Sequence, residues 1–303
     1  MTVRPTGGAS AVEHVERALD LRSVLGEGPL WRDAERRLYW LDLRGPAIFR
    51  FDPASGRNEA LKANLPSGLG GMVFDKRGRW IVVDDTGIHR IDPASGQRTD
   101  LANPEAGHPE NSFNDAKVDR RGRLWTGSCN QDWVTPTGSF YMLDQAGNVS
   151  VIDRSIACAN GPAFSPDGKR AYWTDSPSRE IYCYDIDPST GAVGPRRSFH
   201  KFGAVPEQPD GMTVDADGCL WVALWDAWCV AQIRPDGKLE RRVKVPVPQP
   251  SAVAFGGEGM KQLYITTASL GLSEDQLRAA PLSGHLLVAD VGQRGIVEPD
   301  FAG

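Results

Sequence analysis

Glu27, Asn160 and Asp210 are three oxygen-bearing side chains in one repeated local setting: GEGPLWRDAERRLYWLD, ANGPAFSPDGKRAYWTD and PDGMTVDADGCLWVALW. In each stretch the oxygen donor precedes a short strand, a tight polar turn and a second, apolar strand. Asp210 is expected in a turn ahead of a strand at 212–215. Two carboxylates and an amide carbonyl make a hard, oxygen-only ligand set suited to Ca²⁺, Mg²⁺ or Mn²⁺, with Zn²⁺ or Fe²⁺ also admissible. Three protein ligands leave coordination positions open for water and substrate, as a Lewis-acid metal requires. Asn114, in FNDAKVD, holds the equivalent place in a fourth stretch and could bind substrate or a metal-bound water, while Asp115 could simply hold the turn. Asp-Gly and Asn-Gly are ordinary turn formers, so Asp210 or Asn160 alone would carry little. Glu27 discriminates better, because Glu is a poor turn residue and here stands between Gly26 and Gly28.

Other chemistries find less support. The five histidines are isolated, with no His-x-His or HExxH spacing. No GxSxG elbow marks a nucleophilic serine. The five cysteines are odd in number and form no CxxC pair, which argues for a reduced, cytoplasmic protein without a disulfide framework or a thiolate zinc site. Cys158, two residues before Asn160, either lines the site or is a plain buried thiol. Trp133, Trp225 and Trp228 could wall a sugar pocket by stacking, or could equally be core. With a net charge of −5 and no basic run longer than Arg120-Arg121 or Arg241-Arg242, nucleic acid and anionic membranes are excluded as partners. No obligate protein partner is evident.

The three donors can meet only if their strands surround an axis, and the chain has the repeats for that. A second strand rich in Trp, Tyr, Val and Leu recurs at 38–41, 80–83, 124–127, 171–174, 220–224 and 263–267, a spacing suited to four-stranded propeller blades. Turns at 33–36, 75–78, 119–122, 165–168, 215–218 and 256–259 precede these strands, mostly with Asp or Gly, which tight hairpins need. Third strands run into Asp-Pro-Ala-Ser-Gly twice and into near-copies elsewhere. The expectation is therefore an all-β, six-bladed propeller of four-stranded antiparallel blades occupying 12–303 as one domain, behind a disordered tail at 1–11. Segment 15–24, apolar at alternate positions, is expected to close the last blade as its outer strand. One helix is expected in LSEDQLRAAP, with Ser273 and Gln276 as a capping box and Pro281 as its stop.

In order along the chain, GEGPLW, FNDAKVDRRGRLWTG, NGPAFSPDGK followed by YWTD, and PDGMTVDADGCLWVALW resemble the signatures of the senescence-marker-protein/gluconolactonase/regucalcin family of sugar-lactone lactonases. The likeness spans about 21–290, and the C-terminal LYITTASLGLSEDQLRAAPLSGHLL is similar to the bacterial aldonolactonase branch. The resemblance implies a six-bladed propeller with one central divalent metal, acting on a small sugar lactone. It implies Glu27, Asn160 and Asp210 as metal ligands, Asp210 also as general base, and Asn114 as a substrate or metal contact. Where many members carry a substrate-contacting Arg, this chain has Ser112; where some place a substrate-binding Glu, it has Asp132 in SCNQDW. Asn114, Ser112 and Asp132 are thus the expected substrate-positioning residues, and the sugar is left open. Two rival readings are a metal-dependent phosphotriester or ester hydrolase, and a propeller that only binds.

Overall fold

A computed structural model describes residues 14–61, 68–203 and 206–303, so the tail expected at 1–11 lies outside the described residues. Its strands form six four-stranded antiparallel sheets, five of them up-and-down meanders of consecutive strands and the sixth joining the first strand of the chain to the last three. The first strands of blades 1 to 6 are Gly26–Arg32, Gly71–Phe74, Asn111–Val118, Ala159–Phe164, Gln208–Val214 and Pro250–Gly256. Each packs beside the first strand of the next blade, and that of blade 6 returns to blade 1, so they ring a central channel. Burial follows this geometry. No first-strand residue is exposed, whereas a fourth strand such as Arg57–Leu61 is mostly exposed.

Large aromatics from the second strands fill the space between blades. Trp125 and Trp221 occupy corresponding places in blades 3 and 5, Trp40 and Trp173 share the next position along in blades 1 and 4, and all four are at most 1 % exposed. Trp173 stacks on Phe140 of the neighbouring blade at 4.1 Å, and Trp221 meets Phe255 of the next blade edge-on at 5.8 Å. Each such pair adds about 0.5–1.5 kcal/mol beyond simple area burial.

The turns expected between first and second strands are present, and three are built on a buried aspartate. Asp215 Oδ1 accepts from the Asp217 and Cys219 amides at 3.0 and 2.8 Å, while Oδ2 accepts from Trp221 Nε1 at 2.9 Å. Asp119 does the same for Arg121, Arg123 and Trp125. One carboxylate thereby fixes the hairpin and satisfies the indole of the core tryptophan.

Val15–Leu19 pairs antiparallel with Leu286–Asp290 and becomes the fourth strand of blade 6, so both ends of the ring meet in one sheet. The expected helix forms at Glu274–Ala279 with both halves of the Ser273–Gln276 capping box made. A feature not expected is the path of residues 291–303. Gly295 bridges Asp215, Phe301 bridges Asp75, and the Ala302 amide donates to Gly122 O, so this segment crosses the turn end of the channel. Among the described residues no helix is long and apolar enough to cross a membrane.

Asp215→Ala strands the buried Trp221 indole and two turn amides. It is expected to lower the unfolding free energy by about 2–4 kcal/mol in urea denaturation. Asp33→Ala, at the corresponding but exposed turn of blade 1, should cost less than about 1 kcal/mol; equal losses would contradict the role given to the buried carboxylate.

Candidate metal centre and substrate cavity

The site lies where the first strands begin, at the end of the channel away from residues 291–303. Five of the six first strands carry a register shift at that place: beside a donor between Glu27 and Leu30, Asn114 and Ala116, Asn160 and Ala163, and Pro209 and Met212, and in blade 6 between Pro250 and Ala252. A bulge lets strand pairing continue on both sides while turning a side chain out of the alternating pattern. Asp210 is therefore inside a strand, Gln208–Val214, and not in a turn ahead of it as expected. The residues following three of the donors are left-handed: Gly28 at φ +53°, Asp115 at +55° and Gly161 at +88°. After Asp210 the demand is space, since a Cβ on Gly211 would lie 2.3 Å from the Ala252 Cβ.

The other two blades contribute no donor, for visible reasons. In blade 2 a Cβ on Gly70 would sit 2.0 Å from Phe113 O, so the strand packs too closely to carry a side chain there. In blade 6 the Ser251 hydroxyl is taken up by Gly26 O at 2.5 Å, tying blade 6 to blade 1.

Glu27, Asn114, Asn160 and Asp210 line one open cleft of about 150 Å³. Glu27, Asn160 and Asp210 are only 6 to 8 % exposed. The amides are oriented by their neighbours. Asn160 Nδ2 donates to Ser176 Oγ at 2.8 Å and Asn114 Nδ2 donates to Ala159 O and Asn160 Oδ1, both at 2.7 Å. Each amide group is thus anchored through its nitrogen, which leaves Asn114 Oδ1 and the second lone pair of Asn160 Oδ1 able to bind a cation or a hydroxyl. Burial raises the Glu27 carboxyl well above its ordinary value, and the charges of Asp210 and Asp115 raise it further. Asp210 is raised for the same reasons, burial first and then Asp115.

Beneath them Asp115 and Lys117 border a smaller space in the channel. Asp115 accepts from the Gly161 amide at 2.9 Å, and burial lifts its carboxyl to about 6. The Lys117 ammonium donates to Met212 O and sits among Glu298, Asp115 and Glu27, with its pKa pushed down by burial.

Among the described residues no three His, Cys, Asp or Glu side chains gather as a metal cluster. The donors here are two carboxylates and an amide oxygen, a set that fits a hard divalent cation. A cation among them would supply the opposite charge and reverse the upward shifts of both carboxyls.

Ser112, Trp133 and Trp225 also line the cleft; Trp228 does not. Asp132 is placed outside the lining, because its carboxylate is engaged by the Val134 and Thr135 amides, both at 2.8 Å, and by the Thr135 hydroxyl at 2.6 Å. It holds the loop that brings Trp133 to the mouth, where the Arg44 guanidinium lies 5.3 Å from the indole. Sequence reasoning missed Ser176, Gln208 and Leu43 on the cleft wall, and Lys117 below it. A lone lysine in an otherwise inward-facing strand, FNDAKVD, was the available signal for the last.

The Glu27 carboxyl is raised in the folded state, so between the unfolded value near 4.5 and its higher folded value the folded protein binds the extra proton. Its contribution to stability is then present at low pH and lost as pH rises. In chelator-treated protein, Glu27→Gln should melt above wild type at pH 7, with the difference shrinking towards pH 4. Saturating divalent ion should reverse the order, because only wild type keeps the full ligand set. A Glu27→Gln protein that melts below wild type at pH 7 in chelator would contradict the burial of an unfavourable charge.

Residues 25–269 match the model of the SMP-30/gluconolactonase/LRE-like region. A 6-deoxy-6-sulfogluconolactonase from Pseudomonas putida is 36% identical over 282 residues, covering 93% of this chain and 96% of that protein. A pentonolactonase from Haloferax volcanii is 34% identical, covering 95% and 97%. The crystal structure of regucalcin, a calcium-binding protein from Agrobacterium tumefaciens, superimposes with a TM-score of 0.88 at 28% identity, covering 94% of this chain and 96% of that one. With the oxygen donors of four bulged strands gathered at the end of a six-bladed ring, the chain belongs to the SMP-30/gluconolactonase/LRE-like family of sugar lactonases.

Proposed function

We propose that this protein hydrolyses an aldono-1,4- or 1,5-lactone, of a pentose or a hexose, to the open aldonic acid, with one divalent cation held by Glu27, Asn160 and Asp210. The observation that carries the reading is the gathering of two buried carboxylates and two anchored amides on one cleft that also has indole walls. The lactonase names of the relatives support the same substrate class.

A bound Ca²⁺, Mg²⁺, Mn²⁺, Zn²⁺ or Fe²⁺ would supply Lewis-acid polarisation of the lactone carbonyl. Asp210 takes the proton of the attacking water through a carboxylate oxygen and returns it to the ring oxygen as the acyl C–O bond breaks. Water is thereby added across the ester and no other reagent is consumed. Asn114, whose Nδ2 is engaged by two acceptors, accepts a hydrogen bond from a substrate hydroxyl through Oδ1, and Ser112 can both donate and accept. Trp133 and Trp225 cover the C–H faces of the sugar and keep bulk water off the acyl carbon. A cytoplasmic setting, where thiols stay reduced, suits the five free cysteines.

Proton release on pentono- and hexono-lactones, after chelation and re-addition of each ion, should show turnover that depends on the metal. Hydrolysis of an aryl phosphotriester with no lactone turnover would overturn the reading, as would a fully loaded protein inactive on every lactone. Asp210→Asn at saturating metal should lose about 10²–10⁴-fold in kcat/KM with its circular dichroism unchanged; near-normal turnover with the ion bound would remove Asp210 as the base.

A further inference from the structure

Two sulfur atoms sit side by side on the wall of the same cleft. Cys129, on the second strand of blade 3, and Cys158, just before the first strand of blade 4, approach to 3.7 Å between Sγ atoms. Both line the cleft, and both are free thiols. Among the described residues no other two cysteine sulfurs touch through a hydrogen bond. Their main chains are already paired, since Cys129 and Cys158 form an isolated antiparallel bridge between the two blades. Antiparallel partners hold their Cα atoms about 4.5–5.5 Å apart, inside the roughly 4.4–6.8 Å span of a disulfide. Bond formation therefore asks for an approach of about 1.6 Å, from 3.7 Å to about 2.05 Å, with no change of strand pairing.

We propose that Cys129 and Cys158 are a reversible thiol–disulfide site in the cleft wall, closed by exchange with a low-molecular-weight disulfide that enters through the substrate opening. Cys158, the more accessible of the two, attacks one sulfur of the small disulfide, forming a mixed disulfide and releasing one small thiol. Cys129 then attacks Cys158 Sγ, the mixed bond breaks, and the second small thiol leaves. Two protein thiols are oxidised, one small disulfide is reduced to two thiols, and both protons pass to the departing sulfurs. The first exchange is slow because the sulfurs are recessed, whereas the second is intramolecular and has the proximity that speeds such steps.

The consequence reaches the ligand set. The Ala159 amide donates to Cys129 Sγ at 3.1 Å, and Asn160 Nδ2 donates to Cys158 Sγ at 3.6 Å. Drawing the sulfurs together shifts the backbone leading into Asn160 and removes one acceptor that orients its amide. The bond thus couples the redox state of the cleft wall to the position of the Asn160 oxygen.

The test uses the full-length protein incubated with excess oxidised glutathione. Intact mass should fall by two hydrogens, and tryptic mapping should join the peptide 124–154 to the peptide 155–169. Lactone turnover should drop by about 10- to 100-fold, the range for an ångström-scale misplacement, and return with dithiothreitol. Cys158→Ser, compared with its own activity before treatment, should show no such reversible loss, whereas Cys129→Ser should gain one glutathionyl group on Cys158 instead of losing two hydrogens, because the resolving thiol is gone. A glutathione adduct that stays on Cys158 of the wild type, or a pair left unmodified, overturns the site; a cross-link that leaves turnover unchanged overturns its coupling to Asn160. The mass and peptide readouts need no substrate, so they stand even if lactone hydrolysis fails, and divalent-ion affinity then replaces turnover as the measure of coupling.

Discussion

Glu27 and Asp210 repel each other across a cleft that strips both of most of their water. Burying two like charges is among the costlier things a fold can do, and with Asp115 beneath them the local charge grows further. The arrangement persists because the surrounding structure leaves these side chains little freedom to move away. Their strands are bulged where they stand, the ring is closed at blade 6, and residues 291–303 cross its other end. Lys117 places a compensating charge below the carboxylates while its hydrogen bond goes to the Met212 backbone carbonyl. A stable ring holds an unfavourable charge constellation, and on that constellation the proposed cation site and proton acceptor rest.

Symmetry and its breaking both matter here. Six equivalent strand starts face one axis, but only four carry a donor. Blade 2 gives up its place to close packing at Gly70, and blade 6 spends Ser251 on Gly26 O. The oxygens proposed to face a cation therefore come from blades 1, 4 and 5, while blade 3 supplies Asn114, whose amide braces Asn160. Ser176 extends that brace to blade 5 by donating to Pro209 O at 2.7 Å, one residue from Asp210.

Much of this was legible in the sequence because it is local and repeated. Asp215 and Asp119 make their turns with residues no more than six positions away, apart from Gln232, and the tryptophan that each one binds is part of the same short pattern. Glu27, Asn160 and Asp210 could be grouped because a repeat places corresponding residues at corresponding points of a ring. What was not legible depends on contacts between distant segments or on a single backbone torsion. The bulge that sets Asp210 inside its strand leaves no compositional mark beyond a glycine that also reads as a turn. Asp132 has the right charge at the right distance along the chain, but its loop turns the carboxylate onto Thr135. The closing path of residues 291–303 has no periodicity to announce it, and Ser176 reaches Asn160 only because blade 4 folds back on itself.

The account stands or falls on one cation bound jointly by three side chains from three blades. Anomalous diffraction from crystals of the full-length protein loaded with Mn²⁺ or Ca²⁺ tests this most directly. The account predicts one strong peak in the cleft, about 2.0–2.6 Å from oxygens of Glu27, Asn160 and Asp210 together. A peak held by other residues, or a loaded crystal with no peak in the cleft, would contradict it.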